Sequence, residues 1–172
     1  HLESEEGANL AGSVYLSDLY QRCSGRPPAV DFELEKAVQE ACRRLVKDGT
    51  AVAAHDLSEG GLAVALAEMC FGGPGWNQVG VQVTVDSKAR IDQTLFGEDH
   101  SRIIVAYEPS QRSKVEALCK TLNAPLTRLG RSGGDSLVVS TPDGTTLVST
   151  LVTALKKRHD TGLCEAIGIS QD

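Results

Sequence analysis

TAVAAHDLSEGGLAVALAEMCF, residues 50–71, changes its pattern twice. Thr50 to Ala54 is a short apolar run with the length of a buried strand. His55-Asp56-Leu57-Ser58-Glu59-Gly60-Gly61 is polar and ends in two glycines, which marks a loop. Leu62 to Phe71 is rich in Ala and Leu, both strong helix formers. The stretch therefore predicts a strand, a tight loop and a helix in direct succession. Ser58 is placed to cap that helix, and the glycines leave its first amides open to approach. A helix start with bare N–H groups attracts anions such as phosphate. Asp56, at the strand's end, is a hard oxygen ligand of the kind magnesium prefers. The same residues also read as an ordinary turn with a helix cap, since Gly-Gly before a helix is common.

Upstream, residues 13–22 predict a short helix, broken by Ser24-Gly25-Arg26-Pro27-Pro28. DFELEKAVQEACRRLVKDG, residues 31–49, is the clearest helix. Leu34, Ala37, Val38, Ala41, Cys42 and Leu45 form one stripe at three- and four-residue steps. Asp31 is its N-cap, and Lys47 and Gly49 close the far end. Downstream, Gly72-Gly73-Pro74-Gly75 ends the second helix, and Val79 to Val85 alternates as a half-buried strand does. A short helix over Asp92 to Phe96 leads to the loop Gly97-Glu98-Asp99-His100-Ser101, and Arg102 to Tyr107 is a buried strand. Pro109 opens a helix whose inner side holds Val115, Leu118, Cys119 and Leu122. Thr127 to Gly130 reads as an edge strand. Ser136 to Ser140 and Thr145 to Val148 flank the hairpin turn Thr141-Pro142-Asp143-Gly144. A last helix covers Leu151 to Lys157, and the charges Lys156 to His159 complement its dipole. The sum is an α+β domain, with a mixed, mostly antiparallel sheet covered by helices. Its expected limits are a loose segment over 1–11, the domain over 12–158 and a tail over 159–172.

Composition narrows the function. A net charge of −6 argues against a nucleic-acid binder, which would show a basic face. No apolar run approaches the ~20 residues a bilayer-crossing helix needs, so no membrane partner is expected. Five cysteines, odd in number and without a CxxC pair, fit neither a disulfide framework nor a zinc site and point to a reducing cytoplasm. Cys42 and Cys70 read as small buried hydrophobes. The chain opens at His1 and its only methionine is Met69, which predicts a processed, engineered or excised piece of a longer polypeptide. Glu98 to Ser101 reads either as a ligand-facing loop or as a solvated turn. Gly130 to Asp135 lacks the spacing and the Lys-Ser or Lys-Thr of a P-loop, which favours a plain loop before the hairpin.

HDLSEGGLAVALAEMCF resembles the signature of the phosphoribosylformylglycinamidine synthases. Gly12-Ser13-Val14-Tyr15-Leu16, Gly25-Arg26-Pro27-Pro28, Leu95-Phe96-Gly97-Glu98 through Ser101-Arg102, and Gly130 to Asp135 resemble further stretches of that family. The resemblance runs from about Gly12 to Lys157. It implies the C-terminal domain type of the aminoimidazole ribonucleotide synthetase superfamily, in the second copy of an internally duplicated small-subunit form. The family's reaction is an ATP-dependent ligation. Formylglycinamide ribonucleotide is activated by phosphorylation at its amide oxygen, and ammonia from glutamine displaces the phosphate.

The resemblance also implies roles. Asp56 would meet magnesium, and Asp56, Ser58, Gly60 and Gly61 an ATP or ADP. Glu98, Asp99, His100 and Ser101 stand where the first copy contacts substrate, although Asp99-His100 replaces the family's small or amide residues. The implied partners are the remaining domains of the synthase, a glutamine amidotransferase subunit and a small accessory subunit. The family's catalytic histidine lies outside this chain, so neither His55 nor His100 takes that role and the chain alone is expected to be inactive. Two other readings stand beside this one. The first is a non-catalytic assembly copy of the domain. The second is a related enzyme such as a hydrogenase-maturation dehydratase.

Overall fold

Asp31 sets the start of the longest helix. In the computed structural model, which describes residues 10–73, 77–86 and 89–168, its carboxylate accepts the amides of Glu33 and Leu34, each at 3.0 Å. That satisfies two of the donors a helix start leaves open. Helix α2 (Phe32–Lys47) follows, with Glu33 and Glu35 in its first turn and Arg44 and Lys47 in its last. Its apolar stripe packs Ala41 and Leu45 with Val115, Cys119 and Ala124. Leu45 is 2% exposed and Val115 0%. Each such side chain stabilises the core by roughly 1.5–3 kcal/mol relative to exposure.

This core belongs to the first of two compact units, which takes in residues 10–65 and 89–128. It also holds α1 (Val14–Tyr20), β1 (Ala51–Asp56), the start of α3 (Gly61–Cys70), α4 (Ile91–Phe96), β3 (Ile103–Tyr107) and α5 (Arg112–Thr121). Pro109 opens a short 3-10 turn that runs into α5. β1 pairs antiparallel with β3, Ala54 opposite Val105 and Asp56 opposite Ile103. The pairing brings the end of β1 beside the start of β3, so the loops after one and before the other emerge together. β1 is not the buried strand its apolar run predicts. Among the described residues it has a strand partner on one side only, and Val52 is 56% exposed. Of the loose segment expected over 1–11, residues 1–9 lie outside the described residues, and Leu10 is buried.

The second unit takes in residues 66–73, 77–86 and 129–168. Its four-stranded sheet has the order β4-β2-β5-β6, formed by Gly130–Ser132, Val81–Thr84, Ser136–Ser140 and Thr146–Leu151. β2 and β5 run parallel and the other two pairings are antiparallel, so the mixed, mostly antiparallel α+β character holds, divided between two sheets. Leu137 and Val139 alternate inward along β5, as a sheet with one packed face requires. The expected edge strand falls at Gly130–Ser132, not at Thr127 to Gly130. A Cβ at Gly130 would lie 1.9 Å from the Gln82 carbonyl oxygen, so only glycine lets β4 approach β2 there. The glycine-rich run 130–135 is therefore a strand and turn. Its Gly133 amide donates to the Gly80 carbonyl and its Gly134 carbonyl accepts the Gly80 amide, each at 2.8 Å. Helix α6 (Val152–Ala166) runs past the expected end at Lys157 and through the start of the expected tail. The Lys156–Asp160 ion pair and the Phe71–His159 ring contact, at 5.0 Å, support that continuation. Pro74-Gly75 and residues 169–172 lie outside the described residues.

Candidate functional site

Asp56 ends β1, and its side chain is 73% exposed. His55 Nδ1 lies 2.6 Å from the Asp56 carbonyl oxygen, which fixes the backbone at the loop's entry. The loop that follows is tightly closed. The Leu57 amide donates to the Arg102 carbonyl at 3.0 Å, and the Gly61 amide to the Ser58 carbonyl at 3.0 Å. The Gly60 amide donates to Glu98 Oε1 at 2.8 Å. These bonds correct two expectations. Ser58 closes the turn through its carbonyl and, with α3 starting at Gly61, close to the expected Leu62, stands outside the helix instead of capping it. The Gly60 and Gly61 amides are engaged inside the protein and do not lie open to an anion.

The two segments singled out by sequence meet here. A Cβ at Gly61 would stand 2.6 Å from the Gly97 carbonyl oxygen and 2.8 Å from the Phe96 carbonyl carbon. With φ +62 as well, Gly61 suits both the backbone turn and the close approach. Glu98 Oε1 accepts a second amide, that of Val14 at the start of α1, at 2.9 Å. Tyr15 of the same helix stacks on Phe96 with ring centroids 4.7 Å apart and planes 12° from parallel. Ser101 donates its hydroxyl to Glu35 Oε2 of α2 at 2.5 Å. Loop 97–102 thus ties together α1, α2 and the turn after β1.

The electrostatics are acidic and uneven. The Ser101 hydroxyl, then the Gln39 amide, hold the Glu35 carboxyl below its ordinary value. Burial pushes the Asp99 carboxyl up, opposed by the nearby Arg102 and His100 charges. Asp99 Oδ1 is buried without a hydrogen-bond partner, while Oδ2 lies 4.0 Å from Arg102 Nη1. Burial also lowers Arg102, against the pull of Asp99, and its guanidinium donates to the Gly97 carbonyl at 3.3 Å. His100 is exposed. Among the described residues no three His, Cys, Asp or Glu side chains cluster as a metal cage. Asp56 remains a single exposed carboxylate beside the exposed Ser58. That set suits magnesium carried on a nucleotide, which needs only one or two protein carboxylates.

Glu35 and Tyr15 are residues of this neighbourhood for which the sequence pointed to no site role, whereas Arg102 adjoins the loop 97–101 that it singled out. Glu35 looks like first-turn charge of α2, and nothing local ties it to a serine 66 positions away. Tyr15 sits in the Gly12 to Leu16 stretch that carried part of the resemblance, which was the available signal.

The chain is similar to phosphoribosylformylglycinamidine synthase subunit PurL of a Synechococcus species. The two are 44% identical over 158 residues, 90% of this chain and 20% of that protein. The chain spans about a fifth of the length of the curated relatives it matches. T. maritima PurL complexed with FGAR is similar in structure, with a TM-score of 0.67 at 19% identity over 81% of this chain and 24% of that one. T. maritima PurL complexed with ATP has a TM-score of 0.63 at 19% identity over 74% of this chain and 22% of that one. At such identity the structural likeness concerns the fold alone. The model of the family described as AIR synthase related protein, C-terminal domain, matches residues 2–150, strand–loop–helix and loop 97–102 included, and the chain belongs to that family.

Proposed function

We propose that this chain serves as the C-terminal domain of a phosphoribosylformylglycinamidine synthase, the ligase that makes formylglycinamidine ribonucleotide in purine biosynthesis. The observation that carries the reading is the 44% identity to a PurL subunit over 90% of the chain. The other domains of the same synthase, a glutamine amidotransferase subunit and a small accessory subunit are its proposed partners, and the cytoplasm its place. The absence of any long apolar helix among the described residues accords with that location. A chimaera tests the reading: the corresponding fifth of the Synechococcus enzyme is replaced by this chain and amidine formation is assayed. Retained turnover supports it, and a folded but inactive chimaera contradicts it.

The proposed ligand of the first unit is a magnesium-bound ADP or ATP at Asp56 and Ser58. Magnesium, when bound, neutralises phosphate charge that the surrounding carboxylates would otherwise repel. Asp56 supplies an exposed carboxylate at the end of a strand, and Ser58 an exposed hydroxyl two residues on. Gly60 and Gly61 shape the turn, their amides already engaged. Asp99, His100 and Ser101 form the loop facing the substrate side, with Ser101 anchored to Glu35. A second reading, an assembly copy that holds no ligand, is favoured by one observation: a protein carboxylate occupies the Gly60 amide that phosphate would use. Uptake of magnesium and ADP by the chain separates the two.

A further inference from the structure

Glu98 stands where the resemblance implies a substrate contact, yet its Oε1 is already shared between two backbone amides. One belongs to Val14, 84 positions away, and the other to Gly60, 38 positions away. The first opens α1 and the second lies in the turn just before α3, so a single carboxylate oxygen joins two chain segments at their helix starts. Charge-assisted bonds of this kind are the stronger ones, and they orient a carboxylate closely. Three neighbouring contacts draw the same segments together: Gly61 against the Phe96–Gly97 backbone, Tyr15 on Phe96, and Leu57 bonded to the Arg102 carbonyl. We infer that Glu98 is a positioning residue, not a substrate ligand, holding the Ser58–Gly61 turn and the first turn of α1 in one arrangement for the Asp56–Ser58 site. This inference rests on the reading of that turn as a nucleotide site.

The inference separates charge from geometry. A ligand role needs the negative charge, whereas a clasp needs only an acceptor oxygen of the right reach, which glutamine retains. The experiment measures amide hydrogen exchange at Val14 and Gly60 by NMR in the 172-residue chain, as wild type, Glu98→Ala and Glu98→Gln. Calorimetric titration with magnesium and ADP accompanies it. In Glu98→Ala both amides are expected to exchange about tenfold faster or more, and together, because both lose one shared acceptor. Nucleotide affinity is expected to fall in the same variant. In Glu98→Gln both amides and the affinity are expected to stay within about threefold of wild type. Exchange that rises at only one amide in Glu98→Ala overturns the inference. So does Glu98→Gln losing nucleotide as fully as Glu98→Ala. A Glu98→Ala chain too unstable to measure leaves the glutamine variant to decide. If wild type takes up no magnesium and ADP, the nucleotide reading of the turn fails, while the exchange pattern still decides the clasp.

Discussion

Ser101 adopts φ +60, a left-handed conformation that costs a non-glycine residue roughly 1–2 kcal/mol. It persists because its hydroxyl bonds Glu35 across 66 positions of chain. Ser101→Ala keeps the strain and loses the bond, so it is expected to destabilise the chain by about 0.5–1.5 kcal/mol at neutral pH. The pH dependence has a definite sign. The bonded Glu35 carboxyl titrates below its ordinary value, so its stabilisation is present above roughly pH 4.3 and is lost as pH falls through the depressed value. Ser101→Ala should therefore narrow its deficit on acidification, read as urea midpoints converging towards low pH. Gly61→Ala meets two obstacles, a positive φ and a 2.6 Å approach to the Gly97 carbonyl oxygen. A loss of more than about 2 kcal/mol is expected in urea unfolding; an unchanged midpoint would contradict the close packing of the two loops. Neither residue pair was legible as a pair. The sequence placed Gly61, Gly97 and Ser101 in two suspicious loops and Glu35 in a helix, but only the antiparallel pairing of β1 with β3 shows that the loops meet.

Helix α2 shows what sequence specifies well at the scale of an element. Asp31, the acidic first turn, the basic last turn and the stripe ending at Leu45 are local signals, and each appears where it was expected. Asp31→Ala removes two amide bonds and is expected to cost about 1 kcal/mol. Leu45→Ala opens the core against Val115 and should cost about 2–5 kcal/mol; both are checked by thermal or urea denaturation. β1 shows the limit. Its apolar composition predicts burial, but exposure depends on which strands lie beside it, and that is not written locally. β4 moved for a similar reason, since its place is set by how closely Gly130 can approach Gln82. Helix α6 outran its prediction because its continuation draws on Phe71, far back in the chain.

At the scale of the molecule, the α+β class and the family were both readable, the first from alternating patterns and the second from one long motif string. The division into two units with separate sheets was not, because sheet membership depends on long-range pairing. The chain covers about a fifth of a PurL relative, so it is expected to form no amidine when supplied with formylglycinamide ribonucleotide, ATP and ammonia. Detectable turnover by the purified chain would contradict that. The central claim, that the turn after β1 takes a magnesium nucleotide through Asp56, is tested most directly by calorimetric titration of wild type and Asp56→Ala with magnesium and ADP. The account predicts saturable binding that the substitution abolishes. Equal binding by both proteins, or none by either, would contradict it.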